Sequence, residues 1–163
     1  MTTLAGPAIQ DLYPADFAHC LGCGRLNPLG HHLKSHVAGD TVIACFQPEA
    51  GQTSLPGFVY GGLIASLIDC HAMATAAAAA EHAAGRAIGE GPMPRFVTAS
   101  LQVDFLKPTP LGGSLEVVAR VRERSERKAI VVVELSAAGE ITARGEVVAV
   151  RMPESMLRPA QAS

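Results

Sequence analysis

The sequence predicts an α+β fold in which an antiparallel sheet wraps around one long central helix. An apolar stretch with helical spacing begins at Gly61, and its length and Ala content favour a helix. From Val97 onward the apolar residues alternate with a period of two, and three Val-rich runs follow. Because nothing else in the chain is large enough to bury so apolar a helix, the sheet must cover it.

The chain begins with an irregular segment. Up to Pro56 the sequence is rich in Gly, Pro and His, and we expect residues 1–40 to lack regular structure. A short apolar alternation over residues 41–47 predicts the first strand. The tail over 153–163 shows no such pattern, and we expect it to be flexible. With 163 residues and no interdomain linker, the chain is expected to form one domain over 1–163.

The central helix is expected to run from Gly61 to about Gly85. From Leu63 onward, apolar side chains recur at i, i+3 and i+4, and a long run of Ala has high helix propensity. One candidate membrane span, residues 58–80, overlaps this helix, but it carries Asp69 at its centre. Since a charged Asp costs about 2.5–3.5 kcal/mol at the middle of a bilayer, a buried helix of a soluble protein is the better interpretation.

Four strands are expected after a loop rich in Gly and Pro. Residues 97–105 alternate between apolar and polar side chains, which predicts a half-buried strand that ends before Lys107-Pro108. The Val-rich runs at 114–121, 129–135 and 141–150 predict three more strands joined by turns. These last four strands are expected to form an antiparallel meander.

Charge and composition exclude several classes of function. The 13 Lys and Arg residues against 15 Asp and Glu give a formal net charge of −2. The sequence therefore lacks the basic footprint of nucleic-acid binding and of polybasic membrane attachment. Charged residues make up only 17% of the chain, against about 25% in typical domains, which favours an oligomer. Residues 1–17 show no signal-sequence pattern, so we expect a cytoplasmic protein whose four cysteines are free thiols.

Asp69 is a candidate functional residue because of its place on the helix. At 100° per residue it lies nearly opposite the large apolar side chains, and its neighbours on that face are Ala65, Ala72, Met73 and Ala76. A helix that is apolar on both sides is buried on both sides, so we predict a homodimer in which a second copy covers this face. A carboxylate there would be desolvated and suited to general-base or nucleophilic chemistry, whereas the alternative is a surface carboxylate that supports solubility.

The helix start supplies a second candidate group. The free backbone N–H groups of Gly61 and Gly62 can hold a developing oxyanion, although a Gly-Gly pair can also serve only a tight turn. Gly61 and Asp69 are about 12 Å apart along one helix, too far to contact the same carbonyl. Antiparallel helices across a dimer axis can pair Gly61 of one chain with Asp69 of the other. His71 lies about 200° around the helix from Asp69, so we expect a buried core histidine.

Three segments together resemble a known family. They are residues 20–30 (CLGCGRLNPLG), 56–69 (PGFVYGGLIASLID) and 97–108 (VTASLQVDFLKP). The chain is similar over nearly its whole length to the hotdog-fold acyl-CoA thioesterases of the PaaI-like group. The resemblance implies a hotdog fold, dimers or dimers of dimers, and hydrolysis of acyl-CoA at the subunit interface. It implies no metal and no cofactor, coenzyme A being part of the substrate.

The resemblance also assigns roles to residues. It places the helix carboxylate on Asp69, the oxyanion-hole glycine on Gly61 and the water-positioning strand hydroxyl on Thr98. Tyr60 stands where the family usually has His, and a phenol can donate a hydrogen bond but cannot carry protons at neutral pH. The alternatives are a non-catalytic acyl-CoA-binding protein and a hydratase or dehydratase, which generally needs a His in the site.

Coenzyme A contacts are expected at Gly62 and at a basic turn over residues 122–128. Arg127 and Lys128 in this turn are candidates to hold phosphates, and the alternative is a merely solvated turn.

The N-terminal segment contains half of a zinc-site pattern. Cys20 and Cys23, with His31 and His32 downstream, are ligands of acceptable type. In the resembling family this stretch is usually a lid near the acyl pocket, which is the interpretation we favour over zinc.

Overall fold

The computed structural model describes residues 4–157. This part of the chain forms one α-helix and a six-stranded antiparallel sheet, which confirms the predicted fold class. Short 3₁₀ turns lie near both ends of the described chain. The regular elements are β1 (Ser35–Ala38), β2 (Thr41–Phe46), α1 (Gly61–Ala83), β3 (Phe96–Phe105), β4 (Leu115–Arg124), β5 (Lys128–Ala137) and β6 (Glu140–Arg151).

The strands are arranged in the order β1-β2-β4-β5-β6-β3, with every neighbouring pair antiparallel. The predicted meander is correct for β4 to β6 but wrong for β3, which pairs with β6 rather than with β4. A two-residue turn at Ala138 and Gly139, both with positive φ, joins β5 to β6 as a tight hairpin. The segment between β3 and β4, residues 106–114, is long enough to reach across the sheet. The strand β1, inside the segment that we expected to be irregular, was not predicted.

The bounds of α1 agree with the sequence prediction. The helix begins directly after Tyr60 and ends at Ala83. Gly85 then adopts φ +72°, and its N–H donates to the carbonyl of His82. The N–H of Arg86 donates to the carbonyl of Glu81. These two bonds form a Schellman motif, which favours Gly because the left-handed conformation clashes with a Cβ.

The second face of α1 is covered differently from our prediction. Ala72, Met73 and Ala76 are buried within the chain itself, in a core cluster that also contains Ile9 and Tyr13 of the N-terminal segment. The inference that a second copy must cover these three residues is therefore wrong, whereas Ala65, the fourth residue of that face, is only half-buried. A periodic pattern shows that a face is buried but not which part of the chain buries it.

The one helix in residues 4–157 that is long and apolar enough to cross a bilayer is α1, and 72% of its most apolar stretch is buried inside the structure. This burial favours the interpretation as a core helix.

His71 is a core histidine, as predicted. Its Nδ1 and the Ser35 hydroxyl are 2.8 Å apart, and its Nε2 lies 2.9 Å from the carbonyl oxygen of Val42. Complete burial lowers the pKa of the imidazole to about 4, so the ring is neutral at pH 7. The side chain thus ties α1 to β1 and β2.

Close packing of α1 on the sheet depends on Gly145 in β6. A Cβ at this position would lie 2.4 Å from Cγ2 of Ile68 on the helix. We expect Gly145→Ala to lower the free energy of unfolding by about 1–3 kcal/mol, the usual cost of overpacking a core. Urea unfolding measures the effect, with Gly113→Ala as the matched control because a Cβ there meets nothing within 4 Å. Equal stability of the two variants would contradict the prediction.

Candidate active site

Asp69 and Thr98 meet where α1 passes the start of β3. The Thr98 hydroxyl donates to Oδ1 of Asp69 at 2.5 Å. The register of β3 against β6 shifts between Thr98 and Ser100, which is a β-bulge. Bulges recur beside functional sites because they redirect a side chain. The structure thus brings together the carboxylate and the hydroxyl that the resemblance singled out, and their catalytic roles remain predictions.

The environment of Asp69 favours the protonated form of its carboxyl group. Partial burial raises its pKa, which the Thr98 hydrogen bond and the positive charge of Arg95 partly oppose. A carboxylate with a raised pKa accepts a proton from water more readily than an exposed one. Arg95, which affects the pKa of Asp69, was not identified from the sequence.

Gly61 lies at the first position of α1, next to the far end of β3. The N–H groups of Leu63 and Ile64 donate to the carbonyl of Tyr60 and are the first bonded donors of the helix. The N–H group of Gly61 precedes them in the chain. A Cβ on Gly61 would lie 3.5 Å from the ring of Phe105. The helix start therefore offers backbone donors beside an aromatic ring.

Gly62 has a role that the sequence did not indicate. A Cβ at Gly62 would lie 2.4 Å from the ring of Tyr60, so the phenol folds back over this glycine. Tyr60 remains 56% exposed. The side chain is thus accessible to a molecule that approaches the helix start.

The two halves of the candidate site are separated within one protomer. Asp69 contacts Thr98 at one end of β3, while Gly61 lies beside Phe105 at the other end. Gly61 and Asp69 are eight positions apart in the sequence, which corresponds to about 12 Å along the helix. One chain therefore cannot place both groups on one small reacting centre.

An apolar cleft of about 440 Å³ opens next to the helix start. Gly61 and Phe105 line the cleft together with apolar side chains from the loop before α1. Its walls also include Leu55, Phe58, Val59, Ile64 and Leu106.

The basic turn is shorter than predicted. Arg122 lies in β4 and forms an ion pair with Glu146 at 2.5 Å, and Lys128 already belongs to β5. Lys128 is exposed at the start of a strand in which buried and less buried residues alternate. This alternation places Lys128 on the sheet face opposite α1, so the structure does not bring Arg127 and Lys128 to Asp69 within one protomer.

The predicted ligand set of Cys20, Cys23, His31 and His32 does not assemble in residues 4–157. The ring nitrogen Nδ1 of His31 lies 3.2 Å from the side-chain nitrogen of Gln52, and Nε2 of His32 lies 2.6 Å from the carbonyl oxygen of Asn27. The two thiols instead approach Cys70 of α1, a residue that sequence reasoning did not connect with them.

Comparison with known proteins agrees with this architecture. A family model described as the thioesterase superfamily matches residues 56–144. A thioesterase superfamily protein from Shewanella loihica PV-4 is 46% identical, with 85% of this chain and 97% of that chain covered and a TM-score of 0.65. The PaaI protein from the phenylacetic acid degradation operon of E. coli is 15% identical, with 76% of this chain and 81% of that chain covered and a TM-score of 0.61. No curated protein matches the chain at a significant level.

A single long helix wrapped by a six-stranded antiparallel sheet, in the arrangement of the PaaI structure, defines a hotdog-fold protein. The chain belongs to the thioesterase superfamily.

Proposed function

We propose that the protein hydrolyses acyl-CoA thioesters to the free acid and CoA at a site shared between two protomers. The observation that carries this proposal is the hydrogen-bonded pair of Asp69 and Thr98 at one end of β3, with the free N–H of Gly61 at the other end. Membership of the thioesterase superfamily supports the reaction class.

The edge position of β3 supports the dimer. Its partner on one side is β6, and no strand of residues 4–157 pairs with its other side. Leu101 and Phe105 on this strand are 40% and 55% exposed. An unpaired edge with exposed apolar side chains readily pairs with another strand. We therefore propose that two β3 strands pair antiparallel across a two-fold axis.

This pairing would complete the site. If the axis passes midway between residues 98 and 105, Thr98 of one protomer lies opposite Phe105 of the other. Asp69 is bonded to Thr98, and Gly61 lies beside Phe105. The carboxylate of one protomer would then face the helix start of its partner.

In the proposed reaction Asp69 takes a proton from water, whose oxygen bonds to the thioester carbonyl carbon. The Gly61 N–H stabilises the oxyanion, and Thr98 positions the carboxylate and the water. The carbon–sulfur bond then breaks, and the CoA thiolate leaves and takes up a proton. Direct attack by Asp69, with a mixed anhydride that water hydrolyses, is the other route open to this geometry. Neither route requires a metal or a cofactor.

Substrate contacts follow the same arrangement. The apolar cleft beside Gly61 has the size and lining to receive an acyl group. The proposed contacts for coenzyme A are Gly62 at the helix start and the pair Arg127 and Lys128 at the exposed hairpin.

The test is release of free thiol from a panel of aliphatic and aryl acyl-CoAs by the full-length protein. We expect turnover, with the preferred acyl group named by the panel. The alternative function, acyl-CoA binding without chemistry, has its own signature: acyl-CoA raises the melting temperature, but no thiol is released. That result would overturn the proposed hydrolase.

Tyr60 provides a separate prediction. We expect Tyr60→His to retain or raise the rate of thiol release, because an imidazole can also donate a hydrogen bond and is smaller than the phenol that covers Gly62. Tyr60→Phe is the matched control, since it removes only the hydroxyl. A large loss of rate in both variants would show instead that the phenol has a role of its own.

A further inference from the structure

Three cysteine sulfurs converge at the junction of the N-terminal segment and the central helix. Cys20 and Cys23 come from the loop that precedes β1, and Cys70 comes from α1. Their Sγ atoms all lie within 4.8 Å of one another, and the Cys20 and Cys70 sulfurs are 3.7 Å apart. A tetrahedral ion with metal–sulfur bonds of about 2.3 Å requires sulfur–sulfur distances of about 3.8 Å. The spacing therefore suits three thiolate ligands of one ion.

The backbone of the loop is folded tightly around these sulfurs. A Cβ on Gly22 would lie 2.2 Å from Sγ of Cys70, so only a glycine lets the loop come this close to the helix. Gly24 donates its N–H to the carbonyl of Cys20 at 2.8 Å, which closes the turn. This tight turn holds the two cysteines of the loop beside Cys70.

A compensating positive charge lies beside the cluster. The guanidinium of Arg95 lies 4.5 Å from the centre of the Tyr13 ring, and Tyr13 belongs to the same buried core cluster as Cys23. Three thiolates around a divalent ion carry a net charge of −1. One arginine neutralises that charge, which matters because Cys23 and Cys70 are buried.

We propose that Cys20, Cys23 and Cys70 bind a thiophilic cation of the Zn²⁺ class, which fastens the N-terminal loop to α1 one residue after Asp69. On binding, the ion forms three metal–sulfur bonds, and the three thiols release their protons to solvent. No other His, Cys, Asp or Glu in residues 4–157 contributes a ligand atom to the cluster. Cys20 is only partly buried, so a water molecule takes the fourth position from that side. The proposal does not depend on the hydrolase activity.

The experiment is a Co²⁺ titration of the reduced, metal-stripped full-length protein, with metal analysis of the protein as purified from zinc-supplemented cells. We expect one equivalent of zinc per chain. We also expect the visible bands of tetrahedral cobalt, together with thiolate-to-cobalt charge transfer, saturating at one equivalent. Chelation should lower the melting temperature because the site links two elements of the native fold.

Cysteine variants distinguish cobalt binding at the cluster from cobalt binding at any other free cysteine. Cys45→Ser, at an exposed free cysteine outside the cluster, should leave cobalt binding unchanged. Cys70→Ser should weaken it by at least about 100-fold, since even groups that only hydrogen-bond to a metal ligand contribute 10- to 100-fold.

Two measurements on the wild-type protein test the proposal without relying on a variant that could fail to fold. Absence of a cobalt–thiolate band from the reduced wild type would overturn the proposal. So would a disulfide between two of the three cluster cysteines as the purified form, detected by mass spectrometry without reductant.

Discussion

Asp69→Asn is expected to lower kcat for thiol release by about 10²- to 10⁴-fold, the contribution typical of a positioned general base. The amide has nearly the same shape as the carboxylate, and its oxygen can still accept the hydrogen bond that Thr98 donates. It can neither take a proton from water nor attack a thioester. The geometry of the pair therefore survives while its chemistry is lost.

Stability provides the control for this variant. Partial burial disfavours the ionised form of Asp69, so a neutral amide at this position should not lower the melting temperature. Asp40→Asn, at an exposed residue between β1 and β2, controls for the loss of a negative charge and should keep full activity. Near-normal kcat in Asp69→Asn would refute the assigned role of the carboxylate.

The bounds of the central helix could be predicted from the sequence, because both ends of the helix carry local signals. Gly61 begins the apolar period, and Gly85 supplies the left-handed residue of the helix C-terminus. The strand that pairs with β3 could not be predicted from the sequence. Alternation along a strand shows which face is buried, but it does not show which strand lies alongside. The long connection after Phe105 was the available signal that β3 does not form a hairpin with β4.

The same distinction holds for the candidate site. The resemblance identified Asp69 and Thr98 from separate segments, and their contact required only that α1 pack on β3. The cysteine cluster could not be found in this way. Cys70 joins Cys20 and Cys23 because of the path that the irregular N-terminal loop takes across the helix, and no periodic pattern describes that path. Long-range contacts made by irregular segments are the part of the fold that sequence periodicity does not encode.

Gly61→Pro is expected to lower kcat by about 10²- to 10³-fold, the usual loss when one oxyanion donor is removed. Proline removes the N–H and nothing else that the helix needs, since the first helical position tolerates it. Tyr60 has φ −63° and ψ 127°, a conformation that also suits the residue before a proline. Gly61→Ala is the matched control, because it keeps the N–H and its Cβ would make an ordinary 3.5 Å contact with Phe105. If both variants keep full activity, the Gly61 N–H is not an oxyanion donor.

Mixed dimers of Gly61→Pro and Asp69→Asn chains test whether the site is shared. A dimer with one chain of each kind can be isolated through two different affinity tags. One of its two sites combines the substituted residue 69 of one chain with the substituted residue 61 of the other. Its other site combines the native Asp69 of one chain with the native Gly61 of the partner. We therefore expect such a dimer to recover about half of the wild-type kcat, although each parent variant is nearly inactive. If both groups of a site came from one chain, every site of the mixed dimer would keep one defect. Activity would then stay at the level of the parents, which would place the reaction within a single protomer.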